Sequence, residues 1–533
     1  MPQCGQTSAS VRFLSPAPYN PPMPARRCPA LLLALPFLGC ADRPAPPNVL
    51  LVVVDTLRPD HMSAYGYGRE TTPNLDALAA NGVRFTHVQS PRAKTTPAVA
   101  SILTGLYPQG HGVRDLTTPL APRVATLAEV LGRGGYDTGA IVGNYVLQRE
   151  RSGLDRGFDM WVEDLPQSIG VPPDDVPQRT ARDLTDGALV ALGLANRGAG
   201  GGPDEPFVTA GRPWFLWLHY MDPHGSYDPP EEHRIFRSDA PDPIPSADAA
   251  PLASGREERI ATYNVPADAW LDDGRVDANL ARDRYDGEIH FVDAELGRLF
   301  RRMRDAGLLA NTWVVVVADH GESLGEHRYW FEHGLYAFEA TCRVPLIVHA
   351  PTSLVRRPPV GVRDADVSLT DLFPTILEWC RVRPTRRARD RGPRGVSRAR
   401  LLVSDDSGVH PVFCEKVDRA QKSRAVQTKA VRIGDWKLLT RYAQRLDPDR
   451  PSESVMVVLS RELYDLARDP REEHDVLRDA PAAAPIDELY EALLAFLEAD
   501  EHFVDLARTL QERREELARR DPKALRNLEA LGY

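Results

Sequence analysis

At 533 residues, with 42% hydrophobic and 26% charged side chains, the chain can bury a large core. It carries no low-complexity tract and no internal repeat, which sets aside fibrous and solenoid architectures. A net charge of −10 argues against a nucleic-acid partner held through its phosphates, and the basic run at Arg381–Arg400, broken by Pro and Gly, reads as a solvated loop.

The first 46 residues read as a leader and linker. Met23 offers a second start, followed by two Arg, a short apolar core at Ala30–Leu38, and Leu38-Gly39-Cys40. A basic head, an apolar segment too short to span a bilayer and a small residue at the cut site make a secretory signal. The Gly-Cys pair resembles a bacterial lipoprotein cleavage box, so the expectation is an exported protein, periplasmic or at the cell surface, with Cys40 as the lipid anchor or an ordinary cleaved signal as the alternative. Cleavage there leaves Cys342, Cys380 and Cys414, an odd count that allows one pair but describes no disulfide framework.

From Asn48 the run VLLVVV has no polar alternation, so it reads as a strand covered on both faces, and Asp55 stands where it stops. Thr72-Pro73 opens a helix that Asn81-Gly82 closes, and Val83–Val88 returns as a strand. Thr95-Thr96-Pro97 opens a second helix through Leu103. Val124–Gly132 is an amphipathic helix and Tyr136–Val142 a strand, giving the βαβ alternation of a doubly wound sheet. The segment 166–213 holds one helix at Ala181–Leu194 and a Gly-rich loop from Asn196. Trp214–Tyr220 is a buried strand ending at Asp222-Pro223-His224, and Ser238–Asp273 is irregular. A long helix spans Asn279–Ala306 with Tyr285, Ile289, Val292, Leu296 and Leu299 on one face. Thr312–Ala318 is a second fully apolar strand, ending in Asp319-His320-Gly321-Glu322. Val344–His349, Ser368–Trp379 and charged helices over Ile486–Arg520 complete the reading. Two buried strands that deliver Asp55 and Asp319-His320 supply a ligand set suited to a divalent cation.

Nine motifs in order, among them DTLRPDHMSAYGYGRETTPNLDALAANGVRF, PAVASILTGLYPQGHGV, GYDTGAIVGN, FLWLHYMDPHGSYDPP, VVVADHGESLGEH and ELYDLARDP, resemble the sulfatase family of the alkaline phosphatase superfamily. The resemblance implies an α/β fold with a large mixed sheet between helices, a catalytic domain over 47–400, and a smaller C-terminal sheet subdomain with a helical tail over 401–533. It also implies metal-dependent cleavage of sulfate or phosphate esters. Counting back from Thr104-Gly105 puts Thr95 at the nucleophile's place, where sulfatases carry a Cys or Ser that becomes formylglycine. Val99 replaces the Arg of that motif, so no formylglycine is expected. Relatives that resemble this chain in using an unmodified Thr cleave phosphodiesters or transfer phosphoglycerol and phosphoethanolamine.

Further residues follow from the resemblance. Asp55, Thr95, Asp319 and His320 would hold one metal, and Asp222, His224 and His333 a second. Zinc, or manganese, suits these donors better than calcium does, with one or two ions. His224 also matches a substrate-contacting His, so it is a candidate catalytic group, with Asn144 and His333 as candidate substrate ligands. Two Lys that grip sulfate in relatives are missing: Gly143–Val146 has none, and Glu332 stands where the second belongs. Thr56 replaces the second Asp of the usual pair. The expected activity is hydrolysis or transfer at a small-molecule, glycan or lipid ester through Thr95, a phosphodiester or phosphonate being favoured. The alternatives are a sulfate-ester hydrolase working without formylglycine and a degenerate member that binds anionic glycans.

Overall fold

Seven consecutive buried residues, Asn48–Val54 (β1), form the middle of the principal sheet in the computed structural model. The structure describes residues 45–165, 167–169, 176–196, 202–244, 259–384, 394–404, 408–417, 426–446, 454–500 and 519. The leader with Cys40, the Gly-rich loop after Asn196, half of the Arg381–Arg400 run and most of the tail after Asp500 lie outside them.

The other strands of the sheet are Val83–Gln89 (β2), Asp137–Val142 (β3), Met160–Val162 (β4), Trp214–Tyr220 (β5), Thr312–Ala318 (β6), Leu346–His349 (β7) and Gly361–Ser368 (β8). Side by side they run β8-β2-β7-β6-β1-β5-β3-β4. β6, β1, β5 and β3 are mutually parallel, whereas β7 is antiparallel to both its neighbours, so the sheet is mixed. Every residue of β1, β3, β5 and β6 is buried, because helices cover both faces and leave no side for polar residues.

Three helices matter to the site. Ala278–Asp305 (α5 below) begins one residue before its predicted start, because the Asp277 carboxylate accepts from the Asn279 and Leu280 amides and so fixes the first turn. Thr95–Thr104 is buried on every side. Two of its hydroxyls are satisfied internally, Ser101 donating to the Pro97 carbonyl at 3.0 Å and Thr104 to the Ala100 carbonyl at 2.6 Å. It ends at Gly105, whose φ of 69° and contact with the Phe373 side chain, 3.0 Å from where a Cβ would stand, leave no room for another residue. The predicted helix at Val124 starts later, at Leu127–Arg133, because Thr126 and Glu129 form a reciprocal capping box. In chain order the α-helices longer than four residues among the described residues are thus Pro73–Ala80 (α1), Thr95–Thr104 (α2), Leu127–Arg133 (α3), Ala181–Ala191 (α4), Ala278–Asp305 (α5), Leu372–Trp379 (α6) and Ile486–Glu498 (α7).

A separate antiparallel sheet, Val412–Val417 (β9), Val426–Ile433 (β10), Trp436–Leu446 (β11) and Ser454–Asp465 (β12), follows in hairpin order. α7 buries Leu489 and Leu493 against Val431, Leu438 and Leu463 of this sheet. Toward the principal sheet the contact is ionic at its centre: Glu339 accepts from Arg432 at 2.6 Å and Lys437 at 2.9 Å, and Lys437 also meets Glu472 at 2.8 Å, all four groups buried. These two cations hold the Glu339 carboxyl down at about 2 against the opposing effect of burial. Removing one partner strands the others in a dry environment. Glu339→Ala is expected to lower unfolding stability by about 3–5 kcal/mol, read from the urea midpoint, whereas the same change at exposed Glu231 stays within about 0.5 kcal/mol.

Candidate active site

Parallel register brings the reactive groups to one level. Val54 pairs with Ala318 on one side and Tyr220 on the other, so Asp55 and Asp319 leave their strands side by side. The Asp55 amide continues the ladder to the Tyr220 carbonyl at 2.9 Å. β3 ends one residue short of Gly143-Asn144 on the same edge. This is the carboxyl edge of the parallel strands, where α/β sheets collect reactive groups.

The side chains converge there, all fully buried. Thr95 Oγ1, at the start of α2, lies 3.4 Å from Asp55 Oδ2 and 3.3 Å from His320 Nε2. Asn144 Nδ2 donates to Asp55 Oδ2 at 2.7 Å. His320 Nε2 is 3.5 Å from Asp55 Oδ1 and 3.6 Å from Asp319 Oδ2. Its Nδ1 faces the Gly321 carbonyl at 3.0 Å, which can only accept, so the proton sits on Nδ1 and Nε2 turns a lone pair inward. The His320 amide donates to Asp319 Oδ1 at 2.8 Å and fixes that carboxylate.

One ligand was not foreseen. His219, inside β5, joins Asp55 and Asp319 in a group whose ligating atoms all lie within 4.8 Å of one another. Its Nε2 is 3.7 Å from Asp319 Oδ2, too long for a hydrogen bond. Asp55 Oδ1, Asp319 Oδ2 and both ring nitrogens of His219 are buried without a hydrogen-bond partner, an expensive arrangement unless a cation sits among them. Burial and the Asp319 charge push the Asp55 carboxyl well up. Asp319 is held low in spite of burial by the His320 and His219 rings. Two carboxylates, two imidazoles and a hydroxyl therefore fit a divalent ion, with Asn144 orienting Asp55 from behind.

A second tier of imidazoles lies beside the first. The His333 ring is 4.3 Å from that of His320 and 5.1 Å from that of His224, centroid to centroid. His333 Nδ1 meets Glu322 Oε1 at 3.2 Å, and His224 Nδ1 meets the Gly225 carbonyl at 3.0 Å. Burial lowers His224 to about 4 and, with the neighbouring imidazoles, pushes His333 well down, so both are neutral rings. Burial, with Glu332 nearby, pushes the Glu322 carboxyl well up. Lys94, immediately before Thr95, places a positive charge near both His320 and His333.

Asp222, His224 and His333, the expected second ligand set, are not a group whose ligating atoms lie within 4.8 Å of one another among the described residues. Asp222 faces the Ala181 amide at the start of α4 and the Glu288 carboxyl, with which it shares a buried environment that raises it to about 6. His224 and His333 are near each other, but among the described residues the group able to hold an ion is Asp55, His219 and Asp319. Asp222 is engaged instead at the α4 terminus and with Glu288. His111 has a structural place, its Nε2 on Ser101 Oγ at 2.9 Å and its Nδ1 accepting from the Val113 amide at 3.0 Å.

The sulfatase family model matches residues 47–382, more than half of the chain. The chain belongs to the sulfatase family. This sulfatase is 25% identical over 366 residues to an arylsulfatase of Clostridium perfringens, covering 63% of this chain and 75% of that one. It is 28% identical over 391 residues to the multifunctional alkaline phosphatase superfamily protein PehA of Trinickia caryophylli, covering 62% and 73%. Among solved structures, the phosphonate monoester hydrolase of Agrobacterium radiobacter matches with a TM-score of 0.58 and 22% identity over 85% of this chain and 95% of that one. A protein solved with D-glucosamine-2-N,6-O-disulfate as its substrate matches with a TM-score of 0.63 and 20% identity over 86% and 99%. These likenesses establish an alkaline-phosphatase-like fold, and the family is one of ester hydrolases.

Within this sulfatase Glu322 meets the His333 ring at 3.2 Å and so positions it. Glu322→Gln is expected to lower kcat/KM about 10–100-fold with unchanged metal content, checked by kinetics beside elemental analysis. A loss of metal instead would make Glu322 part of the cation site.

Proposed function

We propose that this sulfatase-family enzyme hydrolyses a phosphodiester or phosphonate ester through Thr95 as an unmodified nucleophile. The observation that carries this reading is the placement of Thr95 Oγ1, 3.4 Å from Asp55 and 3.3 Å from His320, at the positive end of a buried helix. A divalent cation on Asp55, Asp319, His320 and His219 would make the Thr95 hydroxyl acidic enough to attack and would neutralise the ester oxygens. Zinc or manganese suits those donors.

In the first step a bond forms between Thr95 Oγ and phosphorus, the bond to the leaving oxygen breaks, and the Thr95 proton ends on the departing alcohol. Water then displaces Thr95 from phosphorus and restores its hydroxyl. His333 and His224, neutral and adjacent, serve to move those protons. Lys94 offsets the charge that grows on the equatorial oxygens, in place of the two Lys that the sequence lacks. Phosphorus suits this route better than sulfur, because a sulfo-threonine has no second hydroxyl with which to expel sulfate. The names of PehA and of the phosphonate monoester hydrolase support the reading, while the arylsulfatase supports sulfate esters as the second one. In this proposal the substrate is a small molecule or a glycan or lipid ester. The leader at 23–40 would export the enzyme, with Cys40 as its lipid anchor.

The test is a panel of nitrophenyl phosphodiester, phosphonate, phosphate and sulfate with the metal-loaded full chain. Turnover of the first two at least about 10-fold above the sulfate is expected. Preferred turnover of the sulfate would overturn the substrate assignment.

A further inference from the structure

Two buried thiols meet, one from a short helix and one from the C-terminal sheet. Cys342 closes the short helix Glu339–Cys342, and Cys414 lies in β9 of the C-terminal sheet. They are 72 residues apart in sequence, both essentially inaccessible, and their Sγ atoms are 2.6 Å apart. Cys380, the third cysteine in the described residues, is buried elsewhere, beside Tyr136. Burial and the neighbouring Cys342 push the Cys414 thiol far up, so as a free thiol Cys414 would stay protonated and inert.

The surroundings give the pair a purpose. The Cys342 carbonyl accepts from the Ser90 amide at 2.8 Å, and the Glu415 amide, next to Cys414, donates to the Pro91 carbonyl at 2.9 Å. Both cysteines thus sit one bond from the segment that leads through Lys94 to Thr95. On the other side, the Gly321 amide donates to the carbonyl of Thr341, beside Cys342, at 2.9 Å, tying the same corner to the Asp319-His320 turn. We infer that Cys342 and Cys414 form a disulfide that staples the C-terminal sheet to the principal one and holds the Thr95 segment against the Asp319-His320 turn. This stands independently of which ester is cleaved.

The chemistry is thiol–disulfide exchange with a protein or glutathione disulfide while the C-terminal sheet is still docking and the thiols are reachable. One thiolate attacks the oxidant's disulfide and releases one of its sulfurs as a thiol. The second Cys displaces the other. One S–S bond is made here and one is broken in the oxidant, which leaves as two thiols carrying the two protons and two electrons. Such bonds persist in the oxidising compartments to which the leader points.

The experiment is proteolysis of the full chain under non-reducing conditions after refolding with a glutathione disulfide/thiol mixture, with unreacted thiols alkylated in denaturant. The expected result is a linked peptide pair containing Cys342 and Cys414, with Cys380 alkylated. Separate alkylated peptides for Cys342 and Cys414 would overturn the inference. As a second reading, dithiothreitol is expected to lower the Tm of the oxidised protein and of Cys380→Ser by about 5 °C, and to leave that of Cys414→Ser unmoved. An equal response in all three would overturn it as well.

Discussion

Thr95→Ala is expected to lose on the order of 10⁴–10⁶-fold in kcat toward the best ester of the panel, the scale seen when a nucleophile that acts with its partners is deleted. The substitution removes one hydroxyl and no ring or charge, and Asp55, Asp319, His320 and His219 remain to hold the ion. Bound metal by mass spectrometry should therefore stay near the parent value. Thr95→Ser keeps an oxygen at the same place and is expected to retain measurable turnover, within about 10²-fold of the parent. A short quench of the parent enzyme with substrate should yield a peptide around Thr95 heavier by the phosphorus group it retains, an alkylphosphoryl from a diester or an alkylphosphonyl from a phosphonate ester. Turnover that survives in Thr95→Ala would end the nucleophile assignment and would leave water attack as the route.

The second large effect concerns the cation. Asp319→Ala deletes the carboxylate that His320, His219 and the His320 amide all address. It is expected to leave less than about 0.1 equivalent of bound zinc or manganese and to abolish turnover of every ester, as does prolonged chelation of the parent. Re-addition of metal should restore the chelated parent and fail with the variant. His219→Ala separates two roles for that residue. As a ligand it should weaken metal affinity about 10–100-fold by competition against a chromophoric chelator; as packing alone it would lower the Tm and leave the affinity where it was.

Much of this geometry could be read from the chain. The strands at Asn48 and Thr312 announced themselves by apolar runs that no surface strand would tolerate, and the acidic residues at their ends marked the reactive edge. Thr95 was reached by counting from Thr104-Gly105, and the structure sets its hydroxyl against Asp55 and His320. His219 was missed because it stands inside WFLWLHY, where an imidazole reads as one more packed ring. The usable signal was its position, level with Val142 and one residue from the strand end. Lys94 carried no pattern, since its charge matters only where α2 meets the His320 turn. The role of Glu322 is not legible in its motif, because its partner His333 is 11 residues on. Small strands, loop paths and the Cys342–Cys414 contact arise from long-range closure and leave no periodic trace.

The register of β1 between β6 and β5 has a wider consequence. Because Asp55 and Asp319 are levelled by main-chain pairing, the reactive centre behaves like a mark ruled across neighbouring boards, and its alignment does not depend on how the connections beyond the boards are drawn. A residue inserted within β1 or β6 would shift one carboxylate along the strand by about 3.3 Å and turn it to the opposite face. The same insertion farther along the connection between β5 and α5, well beyond His224, would leave both carboxylates where they are. Their alignment is thus protected by the sheet.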